Sequence, residues 1–440
     1  MAMDQQVHRT VFFTTCAVAS LITATAVHWI TKYFHQNKIN KRYSSSDNDD
    51  TYGFANSRKA AGRDSAYESL IGNTPLIQLR TLSKLVGNEI YVKMECMNPG
   101  GTGKDRAALF IIKRAEEEQR LPKSCDGGGG IVVEGTSGST GISLAMLCNT
   151  RNHQLIVVLP DDQSPDKAAL LRNHGAIVKI VSNCAISNPN HYVNVARKTA
   201  HELSGEQQQG HGRQTIFSDQ FENDANFEAH YQTTGPEIWN QTQGKLDAFV
   251  MSSGTGGTIS GVGRYLTEQN PDISIVLVDP PGSSLYNKVK YGVAYVSEQS
   301  ERVLKRHRYD TLAEGIGLDR VTQNLTLGLG CISDAVRVQD QEAVDMAHWL
   351  LRNEGLFVGS SSAMNIVGAV RVASGLQPGK RVVTVACDNG ERHLSRFWNR
   401  DFIVGERGLI WPGRDEHVDM KANHKVDEIE QQRIPECLKL

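Results

Sequence analysis

The sequence predicts an α/β fold in which parallel sheets are covered by helices on both faces. Two observations carry this. From about Ala66 onward, apolar runs of strand length alternate with stretches of helical spacing, and such alternation implies crossover connections and parallel sheets. Three glycine-rich loops also fall where helices begin, two of them directly after a strand. In open α/β sheets that is where ligands bind.

The elements follow in order. Ile90 to Met94 reads as a strand. Asp105 to Gln119 reads as a helix, with Ala107, Leu109, Phe110, Ile112 and Ala115 against a charged face. Ile131–Val133 is a strand, Gly141–Thr150 a helix, and Leu155–Leu159 a strand closed by Pro160. Pro165–His174 is a helix ended by Gly175, a C-cap signal. Ile177–Val181, Ala248–Ser252, Ile275–Val278 and Arg381–Ala386 are further strands. Gly257–Thr267, Gln341–Asn353 and Ser362–Ala373 are further helices. Gly205 to Gly212 reads as a surface loop, and residues beyond about Gly405 as a loosely packed tail.

At 440 residues the chain is long enough for two subdomains with appendages. A net charge of -2 with no basic run gives no footprint for nucleic acid. No two of the eight cysteines form a C-x-x-C pair, so neither a zinc site nor a dithiol motif is expected. No metal is expected.

The amino terminus differs from the rest. Residues 11–31, VFFTTCAVASLITATAVHWIT, contain no Asp, Glu, Lys or Arg. A membrane-crossing helix takes about 20 residues, so the segment is expected to be an uncleaved transmembrane anchor. Lys32, Lys38, Lys41 and Arg42 follow it, with only Arg9 just before it. That asymmetry is expected to keep the main body in the cytosol. The expected organisation is residues 1–34 as tail and anchor, 35–65 as a polar linker, 66–405 as a catalytic domain, and 406–440 as a tail. Within the catalytic domain, the smaller of two subdomains is expected at roughly 105–230.

Three loops carry the chemistry. In Asn98-Pro99-Gly100-Gly101-Thr102-Gly103-Lys104-Asp105-Arg106, glycines leave the backbone unshielded and Lys104 falls on the first helical turn. A lysine amine so placed is a candidate for covalent attachment of a carbonyl compound. A P-loop is excluded by spacing, since Asp105 stands where Ser or Thr would hold magnesium. In Glu134-Gly135-Thr136-Ser137-Gly138-Ser139-Thr140-Gly141, hydroxyls and backbone N–H groups converge at a helix start, as a receptor for a carboxylate or phosphate does. In Ser252-Ser253-Gly254-Thr255-Gly256-Gly257-Thr258 there is no lysine, so an anion there must be met by backbone dipoles and hydroxyls. One such turn alone is weak evidence; two together with the lysine are stronger.

From about Ser69 to Phe397 the chain resembles the cysteine synthase family, the O-acetylserine sulfhydrylases, within the fold-type II pyridoxal-phosphate enzymes. The resemblance rests on Ile71-Gly72-Asn73-Thr74-Pro75-Leu76, Lys93-Met94-Glu95, the three loops, Asp219-Gln220-Phe221 with Ala225-Asn226, and Thr234-Gly235-Pro236-Glu237-Ile238-Trp239. Glu314-Gly315-Ile316-Gly317 and Gly390-Glu391-Arg392 complete it. The amino terminus resembles the fungal cysteine synthase 2 branch of the mitochondrial outer membrane. The resemblance implies a tryptophan synthase β-like architecture of two parallel-sheet subdomains, here preceded by one transmembrane helix. It also implies a homodimer, and amino-acid and sulfide substrates.

The resemblance further implies roles. Lys104 would hold pyridoxal 5'-phosphate and move the substrate Cα proton. Gly254, Thr255, Gly256, Gly257 and Thr258 would cradle the cofactor phosphate. Thr136, Ser137, Gly138, Thr140 and Gln220 would hold the amino-acid carboxylate, and Glu314 to Gly317, including Gly315, would line the mouth. Ser139 would face the cofactor ring oxygen, where the family usually has Asn. Asn389 would meet the pyridine nitrogen, where it usually has Ser. The implied reaction is β-replacement of O-acetylserine by sulfide. Related β-eliminations or replacements (serine dehydration, cysteine desulfhydration, cystathionine formation) and a weakly catalytic tethered scaffold stay open as alternatives.

Overall fold

The computed structural model describes residues 66–123, 129–208, 212–296 and 311–412, with Pro435 and Leu438. All of them belong to one compact unit, Asp64–Leu440. Two sheets organise it. The larger has six strands in the order β1 (Leu76–Gln78), β2 (Glu89–Lys93), β10 (Arg381–Val385), β7 (Ala248–Ser252), β8 (Ser274–Asp279) and β9 (Asp334–Arg337). Only the β1–β2 pair is antiparallel. The smaller sheet is wholly parallel, in the order β5 (Ile177–Val181), β4 (Gln154–Pro160), β3 (Ile131–Gly135) and β6 (Thr215–Phe217).

Why these segments are strands is plain from their burial. Every residue of β7 is buried, as are Val382 to Val385 of β10. A central parallel strand with helices on both faces reads as a continuous apolar run. β5 is the contrast: Ile177 and Ile180 are about half exposed on an edge strand that also carries Lys179, and a charge on an edge discourages further pairing.

Helices Asp340–Asn353 and Ser360–Ser374 cover one face of the large sheet and share its core with Val250, Val278 and Val382. Helix Gly257–Gln269 covers the other face, packing Ile259, Val262 and Leu266 on Phe249, Ile275 and Val383. In the small sheet, helices Lys104–Glu117 and Ser139–Thr150 pack on one face, and helix Tyr192–Gln208 on the other.

The structure departs from the sequence-based expectations in four places. Helix Tyr192–Gln208 runs into the stretch read as a loop from Gly205. β1, β6 and β9 were not expected. Leu409 and Trp411, at the start of the expected tail, pack against the large core, and Ile410 exchanges hydrogen bonds with Gln341. The fourth is a correction. The expected anchor at residues 11–31 lies outside the described residues, and among those described no helix is long and apolar enough to cross a membrane. The longest, Tyr192–Gln208, has 17 residues and includes Arg197, Lys198 and Glu202. The expected placement as a single-pass protein of the mitochondrial outer membrane is corrected accordingly, since no described helix supplies the span it requires.

Candidate active site

The carboxyl ends of both sheets open onto one cleft of about 1350 Å3. Lys104, Thr136, Ser137, Ser139, Thr140, Gln220, Gly254, Thr255, Gly256, Thr258 and Gly315 all line it. Gly138, Gly257 and Asn389 are not on its wall. Asn389 makes a backbone bridge to Val358, and its neighbours Cys387 and Asp388 face the cleft instead, with Ser361.

Lys104 is half-buried at the first residue of its helix, and what fixes it lies beneath. Asp105 is fully buried and accepts from the Gly100 N–H at 2.5 Å and the Ser143 hydroxyl at 2.5 Å, closing the glycine loop onto the helix start. Burial pushes its carboxyl up to about 6, against these hydrogen bonds. Arg106 is buried in a network that reaches the large sheet. It donates to both Glu95 oxygens at 2.8 Å and to Glu237 at 2.6 and 2.7 Å, and Lys93 of β2 reaches Glu237 at 2.6 Å. Burial opposes ionisation of Glu95, but the Arg106 guanidinium overrides it and brings the carboxyl down to about 2. The lysine is therefore held against the large sheet by buried charge.

The loop after β7 is shaped by close approach. A Cβ on Gly254 would stand 2.0 Å from the Gly315 carbonyl oxygen, and one on Gly256, whose φ is +86°, would stand 2.7 Å from Leu325. Only glycine fits either position. Asn226 donates to the Thr255 hydroxyl at 2.8 Å, and the Thr322 hydroxyl donates to the Thr255 carbonyl at 2.7 Å. Thr258 lies 3.1 Å from His230 Nε2, and burial lowers that imidazole to about 3, so it is neutral. The buried Ser252 and Ser253 hydroxyls have no hydrogen-bond partner among the described residues.

The loop after β3 is built differently. The Thr140 hydroxyl donates to Gln220 Oε1 at 2.5 Å, and Gln220 Nε2 donates to Glu134 Oε1 at 3.1 Å. Glu134 also accepts from the Ser218 hydroxyl at 2.6 Å. At the mouth, Lys167 pairs with Glu314, which also faces His393 at 3.7 Å and Arg396 at 3.6 Å. Burial opposes ionisation of Glu314, but Lys167 and His393 hold its carboxyl low. Cys387 also faces the cleft. Burial, then Asp388, pushes its thiol up to about 11, so it is not a thiolate nucleophile at neutral pH.

Asn226, Thr322, His230 and Lys167 were not singled out for these supporting contacts by the sequence. Asn226 did fall in a recognisable block. The others touch the loops from distant parts of the chain, and no local spacing announces them.

A family model described as pyridoxal-phosphate dependent enzyme matches residues 67–388. The chain is 47% identical over 338 residues to cysteine synthase 2 of Schizosaccharomyces pombe, covering 76% of this chain and 84% of that one. It is 45% identical over 365 residues to cysteine synthase 2 of Neurospora crassa, covering 82% and 78%. Among solved structures, O-ureido-L-serine synthase superposes with a TM-score of 0.62 at 29% identity, over 75% of this chain and 93% of that one.

Proposed function

The chain belongs to the family of pyridoxal-phosphate dependent enzymes, and from that premise we propose that it is a cysteine synthase, converting O-acetyl-L-serine and sulfide to L-cysteine and acetate. One observation carries the proposal: a helix-start lysine, a hydroxyl-rich loop and a glycine-walled loop, from three separate parts of the chain, meet at one cleft. The fungal relatives named cysteine synthase support the same substrates.

The residues suit the cofactor. The loop after β7 is a cradle that a single Cβ would fill, and it carries buried hydroxyls without partners among the described residues. Such a loop at a helix start suits a phosphate without a lysine. Gly254, Thr255, Gly256, Gly257 and Thr258 would hold that phosphate, Lys104 would bind the cofactor covalently, and Ser139 would meet its ring. When bound, pyridoxal phosphate supplies the electron sink for charge at the donor Cα.

The chain supplies the rest. Thr136, Ser137, Thr140 and Gln220 hold the donor carboxylate and so orient the Cα–H bond. Lys104 Nζ takes the Cα proton and returns it after sulfide has added. Glu314 and Gly315 frame the entrance, where the pair to Lys167 spans the cleft and limits access of water. The catalytic region begins at about residue 66 and runs past 405 to take in Leu409 and Trp411, with a smaller subdomain near 105–230, and it works as a homodimer, which sedimentation checks.

The test is direct. Purified protein given O-acetylserine and sulfide should release acetate and L-cysteine in equal amounts. A cofactor-loaded protein that releases no acetate would overturn the proposal.

A further inference from the structure

Glu134 is the penultimate residue of β3, beneath the hydroxyl loop, and is 1% exposed, yet no cation among the described residues pairs with it. Its partners are all neutral: the Ser218 hydroxyl, the Gln220 backbone N–H at 3.3 Å and Gln220 Nε2. A buried carboxylate satisfied only by neutral donors is costly to ionise. Burial raises this one to about 7, against the Ser218 and Gln220 hydrogen bonds.

Few ionisable groups face it. Asp219, two residues past β6, lies 3.7 Å from Arg197 of helix Tyr192–Gln208, and the Tyr192 phenol of that helix faces Glu134 as well. Arg320, paired with Glu222, acts on Asp219 and Tyr192. β4 presents only Val157 and Val158. Lys104 and Lys167 line the same cleft, the latter beside Gly138 of the hydroxyl loop and paired with Glu314.

The hydrogen bonds have a direction. An ionised Glu134 accepts only, so the Gln220 amide must turn its NH2 toward it. Gln220 Oε1 then faces Thr140 and consumes the Thr140 hydroxyl proton. The cleft side of Thr140 is left with lone pairs, which a carboxylate avoids. A protonated Glu134 donates to Gln220 Oε1 instead. The amide turns over, its NH2 gives up the Gly135 carbonyl at 3.3 Å and donates to Thr140 Oγ1, and the Thr140 proton is free to point into the cleft.

We propose that Glu134 is a positioning residue: by taking up one proton from solvent when an α-amino acid binds, it reverses the Gln220–Thr140 hydrogen bonds and makes Thr140 a donor to the amino-acid carboxylate. This rests on the reading of Thr140 and Gln220 as carboxylate ligands. It adds that the grip on the carboxylate is loaded by a buried acid that never touches the substrate.

The sign follows from linkage. Binding favours the protonated form, so affinity falls as pH rises through the Glu134 titration. The probe is L-alanine, which keeps the carboxylate but has no leaving group, titrated into holoenzyme and read by the cofactor's visible absorbance. Glu134→Gln carries a permanent NH2 toward Gln220 Oε1, so it stays in the donor-facing arrangement. Relative to that variant, wild-type affinity should weaken between about pH 6 and about pH 9, approaching roughly tenfold per pH unit. Comparison with the variant cancels ionisation of the alanine amine. Ser218→Ala removes a donor to the carboxylate, which favours protonation, so its loss of affinity should begin at higher pH than in wild type. This second variant carries the test if Glu134→Gln does not retain cofactor. A wild-type-to-variant ratio independent of pH, or an unmoved onset in Ser218→Ala, would overturn the relay. Because alanine does not react, either result stands apart from acetate release, whose absence would overturn the cysteine synthase reading instead.

Discussion

The two loops that face each other across the cleft solve the same problem, holding an anion, by opposite means. The loop after β7 is fixed by space: backbone and side-chain atoms stand where any Cβ on Gly254 or Gly256 would go. It has no charge to titrate, and its neighbour His230 is held neutral by burial. The loop after β3 is fixed by hydrogen bonds that end on a buried carboxyl, Glu134. The first arrangement suits a group that stays through many turnovers. The second suits one that must enter and leave in each.

Lys104 belongs to neither loop and faces both, so its loss should have the largest effect. Lys104→Ala should abolish O-acetylserine turnover and the borohydride-reducible visible chromophore. A reducible, covalently bound cofactor on the variant would remove the assignment.

Next is the space-fixed loop. Gly254→Ala puts a methyl 2.0 Å from the Gly315 carbonyl oxygen, an overlap that backbone must move to relieve. Cofactor should be lost on dialysis while far-UV circular dichroism stays that of a folded protein. Unchanged cofactor content would show that the phosphate is held elsewhere.

The buried network under Lys104 comes third. Removing one partner of a buried ion pair costs about 3–5 kcal/mol, and Glu95→Gln should destabilise the fold by that order in urea unfolding. Because the folded Glu95 carboxyl sits near 2, below its unfolded value, its contribution is present above about pH 4.5 and is lost as pH falls toward 2. The gap between wild type and variant should close over that range. A gap that persists to the acid end would mean that charge at Glu95 is not what holds the helix.

The smallest effect is expected at Ser139, the first residue of the helix after the hydroxyl loop. The resembled family usually carries Asn there. Asn reaches further than Ser, and one hydrogen bond to a partly charged oxygen is worth about 1.5–3 kcal/mol. Ser139→Asn should therefore speed O-acetylserine turnover by roughly ten- to a hundredfold with cofactor content unchanged. A slower variant on O-acetylserine, O-phosphoserine and serine alike would deny this position a role at the ring.

How much of this the sequence revealed depends on how local each feature is. The strand Ala248–Ser252 and the loop after it are legible because a fully buried strand is one apolar run and its glycines follow directly. Lys104 is legible for the same reason. β1 and β6 are three residues each, and β9 is four, too short to show a period. Helix Tyr192–Gln208 contains Gly205 and ends in glutamines, which disguise it as a loop. Glu134 was visible as the first residue of a motif, but its behaviour was not. Burial makes it titratable, and the neutral partners that oppose the shift, Ser218 and Gln220, lie 84 and 86 positions away; only the parallel pairing of β3 with β6 brings them together. The cleft-facing Cys387, one residue from Asp388 and two from Asn389, shows the same limit: a motif fixes which residues are near, not which of them turns inward.

The most direct test of the account is a two-step single turnover with cofactor-loaded protein. O-Acetylserine is added first without sulfide, and sulfide afterwards. The account predicts a burst of one acetate per active site before sulfide, and an equal amount of L-cysteine after it. Acetate that appears only once sulfide is present, or pyruvate in place of cysteine, would contradict it.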